Sequence, residues 1–158
     1  MTTHNHETSR RSVVMSKVMS PDMSNFSGDV HGGHLMQFLD YVAYVCATRY
    51  CRSRTATISV DMLTFKKPVH VGELVTCYAS VNYVGRTSME IGIRAEAEDL
   101  KNGQVRHVIS CFLTFVAIDD SGKPMPIAPL PLETQEEKRR FKAAKLRREL
   151  RMEYEQKH

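Results

Sequence analysis

Residues 21–51, PDMSNFSGDVHGGHLMQFLDYVAYVCATRYC, decide how this chain is read. The stretch opens as a polar loop and turns apolar at Gly32-Gly33. From Gly33 to Tyr50 the residues Leu35, Met36, Leu39, Val42, Ala43, Cys46, Ala47 and Tyr50 recur at intervals of three and four, the period of an α-helix. Phe38, Tyr41, Tyr44 and Val45 make the remaining face apolar too, so this helix is expected to be enclosed on most sides. Two polar residues stand out: Asp40 inside the apolar run, and Asn25 in the loop before it. A buried carboxylate without a partner costs on the order of several kcal/mol, so Asp40 needs water, a hydrogen-bond donor or a shifted protonation state.

Working outward, Ser12 to Met19 is rich in β-branched and apolar residues and reads as a first strand, ended by Pro21-Asp22. After the helix the period changes to two. Ala56, Ile58, Val60 and Met62 alternate with Thr57, Ser59 and Asp61, the pattern of a strand with one buried face. Val69 to Gly72 reads as a turn, Leu74 to Tyr83 as a long strand, Val84-Gly85-Arg86 as a tight connection and Thr87 to Ala97 as a further strand. Lys101-Asn102-Gly103 signals a hairpin. Val105 to Ile118 is too apolar to be an exposed edge, and Asp119 to Lys123 breaks it. Met125 to Leu132 is extended and carries three prolines. From Glu133 to about Lys157 runs a highly charged helix, with Thr134 and Glu137 spaced as a capping box. Phe141, Ala144, Leu146 and Leu150 are its expected inner side, and most of its length is expected to be solvated. The fold class is therefore α+β: a curved antiparallel sheet of hairpin-linked strands wrapped around one central helix, plus a charged C-terminal helix. Open edge strands invite a second copy of the chain.

At 158 residues, 42% hydrophobic and 25% charged, the chain has the size and composition of one folded domain. Residues 1–11 are expected to be frayed, 12–132 to form the domain and 133–158 the charged helix. The net charge of +4 is mild and gathers near the C-terminus, which argues against a nucleic-acid partner. No apolar run is long enough to cross a bilayer and the first dozen residues lack a secretory apolar segment, so the expectation is a cytoplasmic protein with no membrane partner. Cys46, Cys51, Cys77 and Cys111 form no CxxC pair and are expected as reduced, buried thiols. His31 and His34 have neither a third ligand nor the glutamate of HExxH, so no metal is expected. GxSxG is absent, which disfavours serine-hydrolase chemistry.

The element order and the segment NFSGDVHGGHLMQFLDYVAYVCATRYC resemble the hotdog-fold acyl-CoA thioesterases of the cytosolic acyl-CoA hydrolase group. SVDMLTFKKPVHVGELV, GRTSMEIGI and FLTFVAID before GKPMP match the same group, in the same order. The resemblance implies a homodimer with a continuous sheet, assembling as a trimer of dimers into a homohexamer. It also implies hydrolysis of medium- to long-chain fatty acyl-CoA to free fatty acid and coenzyme A, the latter being part of the substrate, with no other cofactor. The family's catalytic asparagine and aspartate fall on Asn25 and Asp40, and its interfacial sites imply that Asn25 of one subunit faces Asp40 of the other. Arg86, Thr87 and Ser88 take the place of its coenzyme A contacts, with Phe65 and Lys66 beside them; the tail residues Arg139, Arg140, Lys142 and Lys145 are further candidates for its phosphates.

The residues suit that chemistry. Asp40 can serve as general base toward water or attack directly to give a mixed anhydride. The Asn25 amide can orient the water or the carbonyl. Free N–H groups at Gly32-Gly33, at the positive end of a helix, can form an oxyanion hole, with His31 as a structural or substrate-orienting donor. The competing reading is a non-catalytic acyl-CoA-binding sensor on the same scaffold.

Overall fold

The computed structural model describes residues 10–158. Its elements are β1 (Ser12–Val18), a 3-10 turn (Pro21–Met23), α1 (Gly32–Cys51), β2 (Arg54–Phe65), β3 (Leu74–Val84), β4 (Ser88–Glu98), β5 (Val105–Ile118) and α2 (Gln135–Lys157). The expectation of a frayed N-terminus falls, for residues 1–9, outside the described residues.

One antiparallel sheet has the order β1-β3-β4-β5-β2. The β3-β4-β5 part is the hairpin run that the turn residues announce. At the β4–β5 turn Gly103 has φ of 74°, Asp99 Oδ1 accepts from the Lys101 N–H, and the Asp99 N–H donates to the Gln104 carbonyl. The link between β2 and β3 is different. Chain order suggests a turn at Val69–Gly72, but β2 crosses to the far side of the sheet and pairs with β5 instead. That places the apolar β5 in the interior, with β2 and β1 as the two edges.

The sheet curls around α1, whose buried residues Leu35, Phe38, Leu39, Val42, Ala43, Cys46 and Ala47 form a single helical face. They meet Ile91, Ile93, Ile109, Leu113 and Phe115 from the strands, all buried. Each large apolar side chain removed from water contributes about 2 kcal/mol. The expectation that α1 would be enclosed on most sides needs correction, because Met36, Tyr41 and Tyr44 remain 44%, 56% and 44% exposed in the single chain. The sheet has only one concave face, and it covers only one side of the helix. The four cysteines are free; burial pushes the thiols of Cys46, Cys77 and Cys111 up to about 12.

α2 begins with the capping box expected from the sequence: the Glu137 N–H donates to Thr134 Oγ1, and Glu137 Oε2 accepts from the Thr134 N–H. Its inner side is not the expected one. Ala144 is buried and Phe141 lies against Tyr83, but Leu146 and Leu150 face outward, each 57% exposed. Arginines take their place against the outer face of the sheet. Arg147 pairs with buried Glu90 at 2.7 Å and lies 3.7 Å over the Phe112 ring, and Arg151 pairs with Asp61 at 2.9 Å. At the start of the helix Arg11, itself buried, pairs with Glu133 and Glu137. α2 is therefore docked, and polar contacts hold it.

A second buried pair clips the loop before β3. Glu73 is 6% exposed, accepts two hydrogen bonds from Arg106 and accepts a third from the His70 N–H. Burial alone would raise the Glu73 carboxyl; the Arg106 and His70 donors outweigh it and hold it below 4.5. Its stabilising contribution is thus complete above about pH 4.5 and fades as pH falls through the lower folded value. Arg106→Met is expected to cost about 3 kcal/mol of stability at pH 7, measured by denaturant unfolding. The deficit against wild type should shrink toward pH 3.

Candidate active site

His31 caps the N-terminus of α1. Its Nδ1 accepts the Gly33 N–H at 2.9 Å, which puts the ring proton on Nε2 and leaves that nitrogen as a donor. Of the two glycine N–H groups, that of Gly33 is therefore engaged within the chain. Gly32 lies under the Phe65 ring, where a Cβ would stand 3.5 Å from the ring. The Asn25 side chain shapes the preceding loop: its Oδ1 accepts the N–H groups of Ser27 and Asp29 at 2.8 and 3.1 Å. Among the described residues the Asn25 Nδ2 makes no hydrogen bond. Asp29 in turn meets His70 Nδ1 at 2.6 Å, tying the loop to the segment before β3.

Asn25, Asp29 and Gly32 line one open cleft of about 380 Å³ together with Phe65, Lys66 and Lys67, while His31 and Gly33 are not part of its lining. The structure thus brings together Asn25, Gly32, Phe65 and Lys66. It sets Asp40 apart from them. Eight residues separate Asp40 from Gly32 along α1, a rise of about 12 Å. The Asp40 side chain lies on the open side of the helix, where its Oδ1 accepts from Thr57 Oγ1 at 2.8 Å. Its Oδ2 has no partner among the described residues. Nothing in the sequence marks Thr57: simple alternation would group it with Ser59 and Asp61, and its meeting with Asp40 depends on an irregularity of β2.

Arg86, Thr87 and Ser88 stand at the other end of the sheet. Their turn is held by Gly85 N–H to Ser88 carbonyl at 2.8 Å and Ala117 N–H to Thr87 carbonyl at 2.9 Å. The proline strap also reaches it, through Ile127 N–H to Arg86 carbonyl at 2.9 Å. β3 runs from one end to the other, about 30 Å. Within one chain, then, the Arg86–Ser88 turn does not reach the Asn25 cleft. Arg139 and Arg140 share the carboxylate of Glu136 at the start of α2. No group of three or more metal-ligating side chains occurs among the described residues.

A family model of the thioesterase superfamily matches residues 27–103, the span from the Asn25 loop to the β4–β5 turn. Protein VdlD of Helicobacter pylori is 46% identical over 142 residues, covering 90% of this chain and 81% of VdlD. A solved apo-hexameric acyl-CoA thioesterase superposes with a TM-score of 0.88 at 32% identity, over 92% of this chain and 93% of that one. The chain belongs to the hotdog-fold acyl-CoA thioesterases. An acyl-CoA hydrolase of Staphylococcus aureus, solved with butyryl coenzyme A, coenzyme A and coenzyme A disulfide, is a further neighbour of this thioesterase. It has a TM-score of 0.85 at 29% identity, over 92% of this chain and 89% of that one. The same hydrolase has been solved with an asparagine, an aspartate and a threonine each replaced by alanine. Those three positions are separated by the same two intervals as Asn25, Asp40 and Thr57 here. No described helix of this thioesterase is long and apolar enough to cross a membrane.

Proposed function

We propose that this thioesterase hydrolyses medium- to long-chain fatty acyl-CoA to fatty acid and coenzyme A, with Asp40 as general base or nucleophile. The observation that carries the reading is the Asp40–Thr57 pair. It holds a carboxylate on an apolar helix face, with Oδ1 engaged by a hydroxyl and Oδ2 open toward the unfilled side. As base, Oδ2 takes a proton from water while the water oxygen bonds to the thioester carbonyl carbon. The carbonyl π electrons become an oxyanion, which the N–H of the partner's Gly32 and the Nε2–H of the partner's His31 are suited to receive. Collapse re-forms the carbonyl and breaks the carbon–sulfur bond. The coenzyme A thiolate leaves with the electron pair and takes up the proton from Asp40. As nucleophile, Oδ2 attacks the carbonyl directly, the thiolate leaves, and water then hydrolyses the acyl–aspartyl anhydride.

The site is completed by a second subunit. β2 is a free edge whose Ile58, Val60, Met62 and Phe65 are 57%, 45%, 53% and 48% exposed, continuous with the open face of α1. Antiparallel pairing of two β2 strands reverses one sheet against the other. The partner's Asn25 end then approaches the reach of Asp40, and the Arg86–Ser88 turn approaches the partner's Phe65–Lys66 cleft. Three such dimers form the hexamer. The hexameric thioesterase among the neighbours and the asparagine–aspartate–threonine intervals of the Staphylococcus aureus hydrolase support this reading.

The direct test follows thiol release with a thiol-reactive dye across acyl-CoA chain lengths. Turnover highest on medium and long chains is expected. Binding of acyl-CoA with no thiol release would overturn the reading in favour of a sensor. Thr57→Ala, which leaves Asp40 in place and frees its Oδ1, is expected to lower kcat about 10-fold.

A further inference from the structure

Strand β2 faces two ways, and its irregular pairing with β5 explains how. Thr57 stands opposite Phe115, whose side chain is buried on the α1 side, while Ser59 stands opposite Thr114. Two steps along β2 match one step along β5, so Ile58 is the extra residue of a β-bulge. In a regular strand Thr57 and Ser59 would share a face. The bulge sends Thr57 inward to Asp40 and Ser59 outward to α2. A second irregularity between Val60 and Met62 leaves Asp61 on the outer side as well.

On that outer side one guanidinium gathers the strand. Arg151 Nη1 donates toward Ser59 Oγ at 3.1 Å, Asp61 Oδ1 at 2.9 Å and Thr114 Oγ1. Both hydroxyls pass their own protons to the same carboxylate, Ser59 to Oδ1 and Thr114 to Oδ2, each at 2.6 Å. Burial pushes the Asp61 carboxyl up, but the donors from Ser59, Thr114 and Arg151 outweigh it and hold it ionised, below the usual carboxylate range. The network is closed: every hydroxyl proton has an acceptor, and the carboxylate has donors on both oxygens. Within the chain β2 has a neighbour strand on one side only, and its bulges remove ladder hydrogen bonds from that side. α2 is anchored separately, by Arg147 on Glu90 and by Arg11 on Glu137.

We propose that Arg151 is a positioning residue: from the back of the sheet it clamps the bulge of β2 through Ser59, Asp61 and Thr114, and so fixes Thr57 against Asp40. The C-terminal helix thereby acts on a site that it does not touch. The proposal rests on Asp40 being the reacting carboxylate.

Arg151→Met removes the clamp and leaves Asp61 its two hydroxyl donors. The expected result is a kcat lower by about 10-fold, with KM for acyl-CoA changed by less than about 2-fold and a Tm lowered by the loss of a buried ion pair. Arg151→Lys, which restores a cation within reach of Asp61, should recover kcat to within about 3-fold. Arg147→Met is the comparison, since it breaks the other arginine anchor of α2 without touching β2. Wild-type kcat in Arg151→Met, or an equal loss in Arg147→Met, would overturn the proposal. If Arg151→Met fails to fold, Ser59→Ala cuts the same link at the strand and carries the same expectation. Amide hydrogen exchange over residues 57–61 separates this proposal from the functional one. Faster exchange in Arg151→Met but not in Arg147→Met supports the clamp even if the wild-type chain releases no thiol, and unchanged exchange sinks it.

Discussion

Asp40→Ala is expected to lower kcat for acyl-CoA hydrolysis by about 1,000-fold while the chain folds and binds acyl-CoA as wild type does. The size follows from the role. Removing the group that takes the proton from water, or bonds to the acyl carbon, leaves only binding and the oxyanion donors. Stability should hardly change, because Asp40 is only half-buried and its one hydrogen bond among the described residues is to Thr57. Thiol release and isothermal binding of acyl-CoA on the same preparation give both readouts. Wild-type turnover in Asp40→Ala would remove the assignment whatever the binding shows.

The second large effect is a recovery. Asn25→Ala and Asp40→Ala homodimers should each be nearly inactive. If Asn25 serves the Asp40 of its partner, a mixed dimer holds one site with both residues intact and one with neither. Random exchange makes half the dimers mixed, so about a quarter of wild-type activity should return on mixing. A site built within one chain would recover nothing, because every site would still lack one residue. The measurement is thiol release before and after subunit exchange under mild dissociating conditions. The structure motivates it through the separation of Asp40 from the Asn25 cleft along α1 and through the unfilled apolar edge of β2.

Much of the fold was legible because it is local. The 3.6-residue period of α1, the two-residue period of the strands, the Asn102-Gly103 turn and the Thr134–Glu137 capping box each specify their own geometry. Each is found where the sequence put it, except that two bulges break the alternation of β2 and its expected buried residues Ile58, Val60 and Met62 are exposed in the single chain. The departures are non-local. Chain order suggests that β2 leads by a turn into β3, yet its partner is β5, about fifty residues on. Helical periodicity made Leu146 and Leu150 the inner side of α2, but the outer face of the sheet presents Glu90 and Asp61, and carboxylates at that depth select Arg147 and Arg151. Asn25 and Asp40 could be singled out as polar residues in telling places. Thr57 could not, because its meeting with Asp40 depends on a bulge that no local pattern announces.

The sequence by itself determined the position and apolar character of the helix, the strand segments, the turns and the chemical types present at the site. All of these follow from residue size, polarity and backbone preference over a few neighbours. Only the tertiary structure decided which strand is the free edge, which way Thr57 and Ser59 point, and that an arginine of the last helix is tied to the strand beside Asp40. Those features arise from contacts between distant segments, where pairing register and the demand that buried charges be matched override local preference.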